Sequence, residues 1–323
     1  MQPAGGRPSL LARLPARPFS GLEKQPEIPF ARGSAPHHAH ESALIASAIC
    51  HIRPVHRPET SLRAWSAAMH NTLPIGPQHS ALAARGLSKC FDRPAVDALD
   101  LTIHAGEFYA LVGPNGAGKT TTLRMVAGLL PPDAGSVTIF GVDALADPIA
   151  AKQMTAWVSD EPMIYDRLTP LEYLEFVAGL WGITEAAVAG RAEELLDGLA
   201  LGVHRHQRCE GFSKGMRQKV ALAGALIHDP RLIILDEPLT GLDAISARHV
   251  KRLLTERVAS GATVIMTTHI LEVAERMADR IGVIAAGRLV AEGTMDELRA
   301  GDGHANTSLE DLFIALVDPE AAS

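Results

Sequence analysis

The chain has 323 residues, of which 47% are hydrophobic and 21% charged, so it is not a disordered, collagenous or coiled-coil sequence. No run approaches the ~18 consecutive apolar residues of a membrane span. Three scattered cysteines (Cys50, Cys90 and Cys209), with no CxxC pair, argue against a disulfide framework or a zinc site.

The net charge of −7 is divided unevenly. Residues 1–80 carry 8 Lys and Arg against 4 Glu and no Asp, whereas the other 243 carry 22 basic and 33 acidic groups. An acidic body of this kind speaks against broad nucleic-acid binding, which needs Lys and Arg gathered on one face. The first 80 residues also hold 11 of the 21 prolines and 7 of the 14 histidines, and no hydrophobic period survives there. They read as a disordered leader, or as an over-long start ahead of Met69. Arg7, Arg13 and Arg17 before the first acid, Glu23, also leave an organellar presequence open. The His37-His38-Ala39-His40 run reads as an accidental polar run or as a metal-binding tract.

From Leu82 the pattern becomes regular. Two β segments, about 83–90 and 97–104, lead into Phe108-Tyr109-Ala110-Leu111-Val112, an apolar run bounded by glycine that predicts a buried strand. A glycine-rich loop and a helix over about 119–129 follow, then a β segment at 136–140. The stretch 165–225 is mostly helical in pattern. Leu232–Leu235 and Thr263–Met266 predict buried parallel strands with a helix between them, and 280–285 and 288–292 predict a hairpin around Ala286-Gly287. No internal repeat is evident, so one nucleotide-binding unit is expected.

Gly113-Pro114-Asn115-Gly116-Ala117-Gly118-Lys119-Thr120 matches GxxxxGK[ST] between a strand and a helix. Glycines let backbone N–H groups curl around a phosphate, and the helix points its positive dipole end at the same anion. Lys119 is placed for the β and γ phosphates, Thr120 for Mg²⁺, and Thr121 continues the helix start. Farther on, Leu232–Leu235 ends in Asp236 and Glu237. Asp236 is expected to hold Mg²⁺ and Glu237 to polarise the attacking water as general base.

With these motifs in place the chain resembles an ATP-binding cassette (ABC) transporter ATPase subunit over about residues 81–295. Phe212-Ser213-Lys214-Gly215-Met216 stands where that family has its LSGGQ signature: Ser213 and Gly215 match, and Lys214 and Met216 depart, as in a subset of prokaryotic export-type cassettes. Leu239-Thr240-Gly241-Leu242-Asp243 resembles the D-loop, with Asp243 as its aspartate. His269 resembles the switch histidine that contacts the γ-phosphate. Phe91 falls where the family stacks an aromatic on adenine, although a core phenylalanine is the rival reading. Asp160, in Trp157-Val158-Ser159-Asp160-Glu161-Pro162, stands where a Mg²⁺-ligating Gln is usual, unless the register differs.

The resemblance implies an α/β P-loop fold with a parallel-sheet core, an antiparallel β subdomain and a helical subdomain at about 165–225. Residues 296–323 are left as a short C-terminal tail. It implies ATP and Mg²⁺, catalytic Glu237 and His269, and cofactor contacts from Phe91, Gly113, Asn115, Gly116, Gly118, Lys119, Thr120, Thr121, Ser213, Gly215 and Asp243. Metal contacts would come from Thr120, Asp160 and Asp236. Implied partners are a second copy of the chain and a separate transmembrane permease on the cytoplasmic face of the membrane, met through the segment with Tyr165, Leu168 and Tyr173. A non-transport cassette ATPase and a regulatory nucleotide-binding module with little turnover stay as alternatives.

Overall fold

Short apolar runs that alternate with helices favour a parallel sheet, because crossover helices cover both faces of each strand. In the computed structural model, which describes residues 80–302 and 308–317, two sheets form. The first is antiparallel. It joins β1 (Ser80–Cys90) and β2 (Pro94–His104), and β1 also pairs with a later strand, β4 (Ala134–Ile139), which carries the two-residue β5 (Val142–Asp143). Between β2 and β4 come β3 (Phe108–Val112), buried throughout, and the helix α1 (Lys119–Val126). This helix ends three residues sooner than its apolar pattern predicts. The amides of Ala127, Gly128 and Leu129 fold back onto the carbonyls of Leu123, Met125 and Arg124.

The second sheet adds α2 (Pro148–Gln153) and β6 (Thr155–Val158), then three helices: α3 (Pro170–Leu180), α4 (Glu185–Gly198) and α5 (Lys214–Leu226). The chain continues through β7 (Leu232–Asp236), α6 (Ala244–Ala259), β8 (Thr263–Thr268), α7 (Leu271–Met277), β9 (Arg280–Ala285) and β10 (Arg288–Gly293). The strand order is β10-β9-β3-β8-β7-β6, parallel except for the edge strand β10. β8 therefore separates the strand before the phosphate loop from the strand that ends in Asp236.

The core follows the alternation of each strand. Ile233 and Leu235 pack with the helical segment, while Leu232 and Ile234 pack with the antiparallel sheet and α1. α3 is fixed at its start by a capping box in which Thr169 and Glu172 exchange side-chain and backbone hydrogen bonds. Two features went unread in the sequence. β6 is only four residues long, too short for a period to show. The stretch expected to be a tail forms, where described, α8 (Met295–Asp302) and α9 (Leu309–Val317), and Leu309 and Leu312 are buried. Readings of residues 1–79 lie outside the described residues.

Where the helical segment meets the parallel sheet, the ring of His228 stacks on Trp181 with centroids 4.0 Å apart. One of its nitrogens, Nε2, lies 3.3 Å from the carbonyl oxygen of Thr155. Burial holds the imidazole down at about 4, so it is neutral in the folded chain. An unfolded histidine takes its proton near 6.5. The stability from this site is complete above that value and is lost as pH falls from about 6.5 towards 4. In urea melts at pH 7 and pH 5, His228→Phe is expected to lose about 1–2 kcal/mol less than the parent chain over that step. An equal loss in both proteins would show that His228 does not titrate on unfolding.

Candidate functional site

The site is built at the C-terminal ends of β3, β7 and β8, the edge at which open parallel sheets bind ligands. Between β3 and α1 the loop Gly113–Gly118 passes so close to β9 that a Cβ on Gly113 would lie 2.3 Å from the Ile284 carbonyl oxygen. Gly118 caps α1 at φ 107°, a conformation that L side chains rarely adopt. Asn115 and Gly116 are exposed at the loop tip, and Thr121 is half-buried in the first turn of α1.

Lys119 is buried, and its Nζ donates to the carbonyl oxygens of Gly113 (2.7 Å) and Pro114 (3.1 Å). Burial lowers its pKa, against the opposing pull of Glu237 and Asp236. The ammonium thus closes its own loop, held by two carbonyl oxygens of that loop.

Asp236 is also buried. The hydroxyls of Thr120 (3.1 Å) and Thr267 (2.6 Å) both donate to its Oδ1, and its Oδ2 has no hydrogen-bond partner among the described residues. Burial pushes its pKa up; the two hydroxyls work against that shift, and the charge of Asp160 adds to it. An orphaned, buried carboxylate oxygen beside a hydroxyl is a hard-oxygen donor set of the kind Mg²⁺ takes. Asp160 is exposed just past β6, so its carboxylate acts on Asp236 through charge.

Glu237 follows Asp236 at φ 49°, in the left-handed region. Its Oε2 lies 2.8 Å from Nδ1 of His269 and accepts from the Thr240 hydroxyl at 3.3 Å. The fold thus brings Lys119, Thr120, Asp236, Glu237 and His269 together from segments up to 150 residues apart in the chain. Thr267, which touches both carboxylate residues, was missed in the sequence, because a threonine inside an apolar strand reads as β-propensity alone.

The remaining candidates stand apart from this cluster. Phe91 is 59% exposed, which removes the core reading. It follows the end of β1, which is held by Asp133, accepting from Lys89 Nζ and from the Cys90 amide, both at 2.7 Å. Ser213 caps α5 and accepts from the Met216 amide at 3.2 Å. A Cβ on Gly215 would come 3.1 Å from Leu242, so the start of α5 packs on the loop before Asp243. Asp243 caps α6 by accepting from the amides of Ile245 and Ser246. Of the three residues expected to meet a partner, Tyr165 is exposed and edge-on to Phe176 (5.2 Å) and Leu168 is half-buried. Tyr173 is packed against Gly224 of α5, and burial pushes its hydroxyl up to about 12.

Comparison with known proteins decides the family. A model described as ABC transporter matches residues 96–240. The daunorubicin/doxorubicin resistance ATP-binding protein DrrA of Streptomyces peucetius is 40% identical, over 69% of this chain and 68% of that protein. The chain belongs to the ABC transporter ATP-binding family. The ABC transporter ATP-binding protein NatA of Bacillus subtilis is 38% identical, over 63% of this chain and 83% of its own length. The linearmycin resistance ATP-binding protein LnrL of the same organism is 36% identical, over 67% and 70%. A solved structure titled as the ATP binding subunit of an ABC transporter superposes with a TM-score of 0.69 at 33% identity, covering 73% of this chain and 99% of that one. A second model, described as AAA domain, putative AbiEii toxin, Type IV TA system, matches the overlapping residues 206–275. The ABC family and fold expected from the motifs are therefore correct, and an ABC domain is one that binds ATP. Among the described residues no helix is long and apolar enough to cross a membrane.

Proposed function

We infer that this chain is the ATP-hydrolysing motor of a membrane exporter, working as a pair of cassettes on a separate permease at the cytoplasmic face of the membrane. The observation that carries the hydrolytic part is the Thr120–Asp236–Glu237–His269 cluster behind a formed phosphate loop. The transport part is supported by the relatives, two of which are named for drug resistance.

In the mechanism, the loop amides around Gly113, Asn115, Gly116 and Gly118 cradle the phosphates, and Lys119 leaves its loop carbonyls to neutralise them. Thr120 and Asp236 would hold Mg²⁺, with Asp160 adding charge at its margin. When bound, the metal supplies charge neutralisation at the terminal phosphates. Glu237 accepts the proton of the attacking water, and His269 keeps that carboxylate turned towards the site. Ser213 and Lys214 are exposed at the start of α5, and this helix end serves the nucleotide of a second copy, with Gly215 and Asp243 shaping that surface. The exposed Tyr165, with Phe176, is the face offered to the permease. The cassette is taken as 81–295, with the helical part at 165–225; α8 and α9 follow it, and Leu309 of α9 packs into the core beside Ala110 and Val112.

The deciding experiment measures Mg²⁺-dependent ATP hydrolysis by the purified chain and identifies the membrane protein that co-purifies with it. Turnover together with a permease partner is expected. A partner drawn from DNA or ribosome complexes would defeat the transport reading, and absent turnover with tight ATP binding would favour the regulatory module. Phe91→Ala is expected to raise KM for ATP about tenfold, because stacking on a base contributes about 1–3 kcal/mol. Phe91→Trp should restore it. An unchanged KM in the alanine variant would remove Phe91 from the adenine contact.

A further inference from the structure

Thr267 lies on β8, between the strand before the phosphate loop and the strand that ends in Asp236. In the parallel ladder it is paired with Asp236. Strand alternation sends both side chains to the sheet face where Ile234 and Ile265 pack with α1. Thr267 is 0% exposed, so water does not compete for its hydroxyl.

That hydroxyl makes two bonds. It donates to Asp236 Oδ1 at 2.6 Å and accepts the backbone N–H of Glu237 at 3.0 Å. A hydroxyl has one proton to give, and here it goes to Oδ1, the oxygen that Thr120 also engages, which leaves Oδ2 without a partner among the described residues. The second bond restrains a peptide whose residue sits at φ 49°. For a residue other than glycine that conformation costs about 1–2 kcal/mol, so it needs outside restraint to persist.

We propose that Thr267 is a positioning residue of this site: one hydroxyl sets the Asp236 carboxylate so that Oδ2 is the oxygen presented to Mg²⁺, and pins the Glu237 amide so that the Glu237 carboxylate reaches His269. This rests on the reading of the site as an ATP–Mg²⁺ site. The chemistry requires a buried hydroxyl at this register position, since a methyl in its place fills the same space but neither donates nor accepts.

The test uses the full chain with Mn²⁺ as the probe, its binding in the presence of ATP read by electron paramagnetic resonance, and turnover measured separately. Thr267→Val keeps the shape and removes both bonds; Thr267→Ser keeps the hydroxyl. The valine variant is expected to bind Mn²⁺ about tenfold or more weakly, as for a lost hydrogen bond to a charged group, and to lose kcat more than it raises KM for ATP. Serine should restore both to within about threefold of the parent. Parent-like Mn²⁺ affinity in the valine variant would overturn the proposal. So would a serine variant that fails as valine does, since the methyl would then be what matters. If the valine variant does not fold, Thr267→Ala and Thr267→Ser give the same comparison, because they differ by the hydroxyl alone; equal Mn²⁺ affinity in that pair would overturn it too. If the parent binds Mn²⁺ with ATP no better than Lys119→Ala and Asp236→Asn do, the nucleotide-site reading falls and this proposal with it. If the parent binds well and the valine variant matches it, only the role of Thr267 falls.

Discussion

Glu237→Gln is expected to lower ATP turnover by about 100- to 1,000-fold, within the range general-base catalysis supplies. The amide keeps the shape of the side chain and the neighbours His269 and Thr240, but it cannot accept a proton from water. ATP binding should persist, because Lys119, Thr120 and Asp236 are untouched. With hydrolysis stopped and the second-copy reading correct, ATP should hold the chain as a dimer that sizing chromatography resolves and that the parent forms only briefly. Turnover unchanged in this variant would end the assignment of Glu237 as base. Turnover lost without dimers would leave the base standing and remove the paired-cassette reading.

Gly118→Ala is expected to be the most damaging small change in the phosphate loop. Its Cβ would fall 2.4 Å from the Ala95 carbonyl oxygen on β2, and its φ of 107° already excludes a side chain at low cost. Left-handed backbone costs about 1–2 kcal/mol and overpacking about 1–3 kcal/mol. Because a domain of this size shifts by about 2–4 °C per kcal/mol, Tm should fall by roughly 5–15 °C. ATP binding should drop steeply, since relieving the clash displaces the loop amides. Gly116→Ala is the control: it also has a positive φ, but nothing lies within 4 Å of its Cβ. It should cost about 1–2 kcal/mol. Equal Tm losses in the two variants would show that backbone conformation, not the approach to Ala95, dominates at Gly118.

Part of this site was legible without coordinates, because its chemistry sits in short local strings. The phosphate loop, the Asp236-Glu237 pair after an apolar strand and His269 after another are patterns a few residues long. Strand identity was legible for β3, β7 and β8, whose apolar runs are bounded by glycine or by helices. β6 was not legible: its four residues are held by pairing to β7 along Thr155–Val158 rather than by any period of their own. Likewise Leu309 gave no sign that it joins a core cluster containing Ala110 and Val112, which lie about 200 residues earlier in the chain.

Phe91 and Tyr173 show the limit from the side of function. Both are aromatic residues among mixed polar and apolar neighbours, and either reads as core or as contact surface. Packing alone separates them, leaving Phe91 open to solvent at the end of β1 and setting Tyr173 against the bare backbone of Gly224.

The amino-acid sequence by itself determined the family, the order of the motifs and the charged residues proposed to meet the phosphates. These depend on residue type and near-neighbour spacing, which the chain states directly. The tertiary structure alone decided that Thr267 faces Asp236, that Oδ2 is the oxygen left without a partner among the described residues, and that His269 meets Glu237. Those facts follow from the register of parallel strands and from β8 lying between β3 and β7. Register is set by burial across the whole sheet, because a one-residue slip would turn every side chain to the opposite face.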